Sequence, residues 1–321
     1  MTGRPILGID LGGTKIGTGL VDQDGTVLYS DCQPTLAHEG PQAVIQRIIA
    51  GAERVLDQAG LAQHGVRSIG IGAPGPLDIP HGLLMEPPNL PGWHNVPLRE
   101  IVQERIGALT YLENDANAAA IGEYLYGAGR GTRDMVYVTV STGIGGGLIL
   151  NGRIYHGASG GAGEIGHMTI LPCGPRCGCG NRGCLEALAS GTAIAREGQG
   201  LIARGVSTAI ASDAGHEVTA KNVVDAMHKG DPHAQQIVTQ AMFYLGIGMA
   251  NLVNLYNPER LVIGGGLTAL GDDLLGPVRR AIERRAFPSA SVQVTAVLAQ
   301  LGAEVGIVGA AGAAWMAAQQ A

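Results

Sequence analysis

The sequence predicts an α/β protein built from two related halves. Two observations carry that prediction. The opening "ILGIDLGGTKIGTGLVDQDGTVLYS" and the later "DMVYVTVSTGIGGGLILNGRIYHG" follow one plan of strand, glycine-rich turn, strand, hairpin signal and strand. At 321 residues the chain also exceeds one average domain, so two lobes are expected.

In the first half, apolar residues from Ile6 form a strand, "LGG" turns it, and Asp24-Gly25 marks a hairpin before a third strand. From Pro41 to about Ala59, Val44, Ile48, Val55 and Leu56 fall on one helical stripe, and "VRSIGIGAPG" returns as a buried strand. The order to this point is βββαβ. A helix near Leu98 to Ile106, a short strand "LTYLEN" and a helix "DANAAAIGEYLYGAG" follow, the last with Asp115 at its start and glycines at its end.

The second half repeats the three-strand plan, and then Gly191 to about Met249 reads as mostly helical. "RLVIGGGL" is a late strand with a third glycine-rich turn, followed by helix, the strand "VQVTAVL" and a final helix. The tract Val305 to Ala318 carries Gly306, Gly309 and Gly312 and is shorter than the ~20 apolar residues of a membrane span. It reads as a packed helix.

Composition narrows the function. Charged residues are 15%, hydrophobic residues 45% and glycines number 52, the profile of an ordered globular protein rich in tight turns. A formal charge of -6 leaves no polybasic footprint, so neither nucleic acid nor an anionic membrane is an expected partner. The N-terminus shows no leader of signal-peptide length, which makes the expected location cytoplasmic. Four of the five cysteines fall between Cys173 and Cys184, and in a reducing compartment such a cluster points to metal or catalysis before disulfides.

The turn Asp10-Leu11-Gly12-Gly13-Thr14-Lys15 brings backbone N–H groups, a hydroxyl and one of only three lysines to the end of a buried strand. Such a turn can cradle phosphate, although an ordinary hairpin explains it equally well; it is not a Walker sequence. "STGIGGG", Ser141 to Gly147, has the same character, and two such loops could hold both ends of a triphosphate. Gly264 to Gly266 lacks polar side chains beside it and suits packing against a purine. Asp115 could cap its helix, or it could serve as a general base toward a bound hydroxyl.

Glu164 and His167 lie three apart in "GEIGHM", and His167 lies ten residues before Cys177. With Cys177, Cys179 and Cys184 it offers three thiolates and one imidazole, a tetrahedral set for structural zinc. Cys173 leaves open an all-thiolate site or a reactive thiol pair.

Together "DLGGTK", "NLPGW", "END", "STGIGGG", "GEIGH" and "CGCGNRGCLE" resemble the ROK family of sugar kinases and repressors across nearly the entire chain, most closely its bacterial glucokinase branch. The resemblance implies two ribonuclease-H-like lobes of the actin/hexokinase type with ATP and sugar meeting in an interlobe cleft. A small lobe of residues 1–115 with about 303–321 and a large lobe of 116–302 bearing the zinc loop are expected. It further implies that Asp10, Gly12, Gly13, Thr14, Lys15, Thr142 and Gly143 embrace the phosphates and that Gly265 and Gly266 adjoin the nucleoside. Gly75, Asn89, Asn114, Asp115, Glu164, His167 and Glu186 match sugar-site positions, with Asp115 as the base. His167, Cys177, Cys179 and Cys184 match zinc ligands.

The implied reaction moves the γ-phosphoryl group of ATP, bound with Mg²⁺, to the 6-hydroxyl of glucose. Mannose, fructose, N-acetylglucosamine and N-acetylmannosamine are alternative acceptors and polyphosphate an alternative donor. A ROK repressor is the alternative from another class, and it should carry a helix-turn-helix ahead of the first strand, where only five residues precede Ile6. A homodimer or homotetramer is the assembly the resemblance implies.

Overall fold

The computed structural model describes residues 3–62, 65–213 and 217–320. Residues 214–216, part of the expected helical stretch, lie outside the described residues. The chain divides into two compact units, Met1–Thr132 with Gly147–Gly163 and Ala299–Ala321, and Arg133–Gly146 with Glu164–Leu298.

The first unit is built on a five-stranded sheet. Its strands are β1 (Ile6–Leu11), β2 (Lys15–Val21), β3 (Val27–Pro34), β4 (Ile69–Ala73) and, after the two-stranded hairpin β5 (Leu77–Asp78) and β6 (Leu83–Leu84), β7 (Thr110–Asn114). The order is β3-β2-β1-β4-β7, with β1, β2 and β3 antiparallel and β1, β4 and β7 parallel. Leu7, Ile9 and Leu11 of β1 and Ile69 and Ile71 of β4 join one core with Val44, Ile48 and Val55 of helix α1 (Pro41–Gln58) and Leu98 and Val102 of α2 (Leu98–Ile106).

Strand alternation sends the residues between them to the other side, and there the sequence places glycine. A β-carbon at Gly8 would lie 2.1 Å from the Ile307 carbonyl oxygen, and one at Gly70 1.8 Å from that of Ala310. Both carbonyls belong to the last helix of the chain, residues 305–320, which therefore rests on the sheet at backbone distance. Not all the glycine is turn chemistry, as composition alone suggested.

Helix α3 (Asp115–Tyr126) packs in the same unit, because Gly309 comes so close to it that a β-carbon there would lie 2.2 Å from the Ala118 carbonyl oxygen. The expected boundary after residue 115 instead set this helix in the other lobe. The division near residue 146 follows from the same helix, since Gly147 packs on Ala116 and Ala120.

The second five-stranded sheet has the order β10-β9-β8-β11-β12, formed by β8 (Met135–Val140), β9 (Ile144–Leu150), β10 (Arg153–Ile154), β11 (Arg260–Gly264) and β12 (Thr295–Leu298). Strands β8, β11 and β12 are parallel. The helices of the second unit are α4 (Leu185–Ala189), α5 (Gly191–Ala203), α6 (Ile210–Asp213), α7 (Ala220–His228), α8 (Pro232–Tyr256), α9 (Asp272–Arg285) and α10 (Pro288–Ser291), and the chain closes with α11 (Val305–Gln320) in the first unit. Among the described residues α8 alone is long and apolar enough to cross a membrane, and 56% of its apolar window is buried within the protein. Its buried side, including Val238, Met242, Leu245 and Met249, supplies core to the second unit.

Candidate functional site

In the first unit the candidate residues gather at the carboxyl ends of parallel strands β1, β4 and β7, the edge where open α/β sheets present ligands. At the end of β1, the Gly12 N–H donates to the Lys15 carbonyl at 3.0 Å. Thr35 pins this turn twice: its N–H donates to the Thr14 carbonyl at 2.9 Å and its hydroxyl to the Gly12 carbonyl at 2.7 Å. Thr35 is fully buried, and nothing in the sequence distinguished it. Burial pushes the Asp10 carboxyl above the usual carboxylate range, with the Lys15 charge partly opposing the shift.

Gly13 packs on Asn89, where a β-carbon would lie 2.9 Å from the Asn89 Cβ. In "NLPGW" it is the apolar residues that anchor, for Leu90 and Trp93 are buried in the core while Asn89 stays exposed. Gly75, after β4, faces Asn114, its β-carbon position being 3.6 Å from Nδ2.

The junction of β7 and α3 settles the capping question. Asn114, not Asp115, is the cap: its Oδ1 accepts from the N–H groups of Ala116 at 3.0 Å and Asn117 at 3.2 Å. Asp115 is the first helical residue, exposed, with Oδ1 accepting the Ala116 N–H at 2.8 Å. The adjacent Glu113 is buried and accepts the Asn114 N–H at 2.9 Å, the Asn117 side-chain amide at 3.0 Å and His156 Nε2 at 2.8 Å.

In the second unit, the turn after β8 is held from the start of α5. Gly191 N–H donates to the Ser141 carbonyl at 2.7 Å, and the Thr192 hydroxyl to the Thr142 carbonyl at 2.8 Å. Glu186 Oε2 accepts the Ile144 N–H at 3.0 Å. Gly143 permits that approach, since a β-carbon there would lie 2.5 Å from the same oxygen. At the end of neighbouring β11, Gly265 adopts φ 89°, where a side chain would be strained and would meet the Val140 carbonyl at 2.5 Å. Gly266 lies beside Ser141, so the turns after β8 and β11 adjoin.

The cysteine loop closes on the same region. Ligand atoms of His167, Cys177, Cys179 and Cys184 all lie within 4.8 Å of one another. Cys179 Sγ is 3.7 Å from Cys184 Sγ and His167 Nδ1 is 3.6 Å from Cys177 Sγ. The Cys179–Cys184 edge matches the about 3.8 Å S···S edge of a tetrahedron of ~2.3 Å Zn–S bonds. Without a cation two of the thiols resist ionisation: burial and its sulfur neighbours push Cys184 up to about 12, and burial raises Cys177, whereas the Asn181 backbone N–H lowers Cys179. A divalent cation reverses that preference. Cys173 is exposed and outside this group of four.

His167 Nε2, the nitrogen away from the sulfurs, lies 4.0 Å from the exposed Glu164 carboxylate. Cys177 Sγ lies 3.8 Å from Glu186 Oε1, so one carboxylate touches both the sulfur cluster and the turn at Gly143.

These strand-end turns on glycine-pierced sheets define an α/β protein of the ribonuclease-H-like, actin/hexokinase type. The chain belongs to the ROK family, whose family profile matches residues 6–319. It is 39% identical over 308 residues to a glucokinase of Thermotoga maritima, covering 95% of this chain and 96% of the relative. Among solved structures it resembles a ROK hexokinase from Thermus thermophilus at 39% identity, TM-score 0.83, covering 99% of this chain and 100% of the other. It also resembles a ROK glucokinase from Streptomyces griseus in complex with glucose and AMPPNP at 34% identity, TM-score 0.80, covering 96% and 98%.

Proposed function

We propose that this protein is an ATP-dependent glucokinase that transfers the γ-phosphoryl group to the 6-hydroxyl of glucose. The observation that carries the reading is the β7–α3 junction, where an exposed Asp115 stands at the first helical position beside the capping Asn114. Near-full-length similarity to glucokinases supports it.

Phosphoryl transfer to an alcohol needs alignment and charge stabilisation more than covalent help. Asp115 holds the 6-hydroxyl and takes its proton as the new O–P bond forms and the bond from the γ-phosphorus to the bridging oxygen breaks to release ADP, a step that becomes favourable only as the hydroxyl acidifies in the transition state. Asn114 spends its carbonyl oxygen on the helix cap, so it meets the sugar through its Nδ2 donor. Asn89 is a further polar partner, and Glu164 and Glu186 supply acceptors. Such a polar ring discriminates among hydroxyl patterns in a way an apolar pocket cannot. His167 uses Nδ1 for zinc and Nε2 for sugar, and Gly75 leaves room beside Asn114.

Asp10, Gly12, Gly13, Thr14 and Lys15, with Thr142 and Gly143, hold the phosphates, and Gly265 and Gly266 border the nucleoside. Mg²⁺, bound with ATP, neutralises phosphate charge, and the buried Asp10 carboxylate suits the neighbourhood of such a cation. Zinc on His167, Cys177, Cys179 and Cys184 is structural, since four protein ligands leave no open position. The proposed setting is cytoplasmic, where the five free cysteines stay reduced, and the proposed assembly is a homodimer or homotetramer, to be read by light scattering.

The test is a coupled assay over hexoses and N-acetylhexosamines with ATP and with polyphosphate. Glucose with ATP should give the highest kcat/KM. A higher value for mannose, fructose or an N-acetylhexosamine overturns the sugar assignment, and preference for polyphosphate overturns the donor.

A further inference from the structure

Behind the β7–α3 junction, on the side of Glu113, lies a cavity of about 200 Å³ lined by residues of the first unit. Its charged or titratable lining residues are Arg99, Tyr111, Glu113 and His156; the rest of the lining, such as Ile121, Ile154 and Met316, is apolar. Arg99 is engaged elsewhere, donating to the Ile79 and Pro80 carbonyls at 3.4 and 3.2 Å. The Glu113 side chain is only 8% exposed, whereas that of His156 is 34% exposed. A buried carboxylate therefore has an imidazole partner that can exchange protons with solvent.

The carboxylate has a particular place. Oε1 takes the Asn114 N–H and the Asn117 side-chain amide, tying the last strand residue to the first turn of α3. Oε2 takes His156. The Oε1 bonds thus bracket the pair assigned to the sugar: Asn114 is held directly, and Asp115 lies between Asn114 and Asn117. We propose that Glu113 and His156 form a positioning pair, in which the imidazolium holds the Glu113 carboxylate in the orientation that aligns Asn114 and Asp115 for transfer. This rests on the glucokinase reading and adds two residues to it, neither of which touches substrate.

The pair also makes alignment depend on pH. The Glu113 hydrogen bond raises the affinity of His156 for its proton above that of an ordinary imidazole, with burial opposing. Because the folded affinity is raised, the stabilisation is complete below the ordinary imidazole range. It is lost as pH rises through the raised value. Turnover should therefore carry an alkaline limb from His156.

The decisive variants keep the fold and change the proton. His156→Gln preserves an N–H donor toward Glu113 without charge or titration, so kcat should be partly retained and the alkaline limb should vanish. His156→Ala removes the donor, and kcat should fall about ten- to hundredfold for a misaligned reacting group, with the nucleotide KM within about twofold. Glu113→Gln presents its amide N–H to His156, which must then be neutral to accept it; activity should now rise where the wild type declines. Thermal melting separates loss of fold from loss of alignment. Wild-type turnover whose alkaline limb survives unchanged in His156→Gln, or an unchanged kcat in folded His156→Ala, overturns the pair while leaving the kinase reading intact. Absence of sugar phosphorylation by the wild type overturns both.

Discussion

Asn114 and Asp115 stand side by side at one strand end, and the division of labour between them sets what each substitution should do. Because Asn114 carries the cap, Asp115→Asn leaves the helix start intact and removes only the proposed proton acceptor. Its kcat should fall by about 10²–10⁴-fold, the range for a lost general base, with glucose binding measured by calorimetry close to wild type; near-normal turnover would remove Asp115 as base. Asp10 behaves in the opposite sense. Its carboxyl is raised by burial, so the ionised form is disfavoured in the folded protein without ligand, and stability grows as pH falls through the raised value. Asp10→Asn should therefore melt at or above the wild-type temperature at pH 7, with the advantage shrinking toward pH 4, while nucleotide affinity is lost. A lower Tm at pH 7 would contradict the burial argument. The residues proposed to touch ligand were legible because their chemistry is unusual at a strand end. Thr35, Thr192 and the Glu113–His156 pair were not, since their roles come from hydrogen bonds across 23, 50 and 43 positions of sequence.

At the scale of elements, apolar patterns located most strands and helices, α2 to the residue, but missed the short β5–β6 hairpin, α4 and α10 and gave α5 to α8 only as one helical stretch. What they left out was which glycines make turns and which make room. Gly8 and Gly70 lie inside strands, and only the approach of α11 gives them a reason. The cysteine loop shows the same limit: its spacing announces a chelate, but not that Glu186 reaches from Cys177 to the Ile144 N–H. That link predicts that the metal serves more than its own loop. Removing the proposed zinc with a chelator, or replacing Cys184 by Ser, should lower Tm and raise the KM for ATP as well as glucose, because the turn at Thr142 and Gly143 loses its brace. Cys173→Ser should change neither. Metal analysis alongside kinetics is the measurement, and a zinc-free protein with both KM values unchanged would sever the link.

At the scale of the molecule, the sequence announced two halves yet carried no linker to separate them, and the reason lies in how the chain runs. It passes between units four times, near residues 132, 146, 163 and 298. Two of these crossings are moored in the first unit by a single buried carboxylate. Glu123 on α3 is fully buried and accepts the Ala128 N–H at 2.7 Å, just before the first crossing. It also accepts the N–H groups of Gln300 at 2.9 Å and Leu301 at 2.8 Å, just after the last. One acceptor thus serves a donor five positions away and two donors 177 and 178 positions away. Charge-assisted bonds of this kind contribute more than neutral ones, and a buried N–H left without its acceptor costs about 1–3 kcal/mol. Glu123→Ala takes the acceptor from three donors, the Ala128 N–H buried and those of Gln300 and Leu301 part-buried, and opens a small void. Allowing for relaxation, it should cost about 3 kcal/mol, lowering Tm by about 4 °C in a chain of this size. Glu123→Gln keeps the volume but sets an amide N–H against backbone N–H groups, so it should rescue less than half of the loss. Calorimetric melting of both variants is the check, and a Tm within a degree of wild type for Glu123→Ala would show that the crossings are held by packing of α3 on α11 instead.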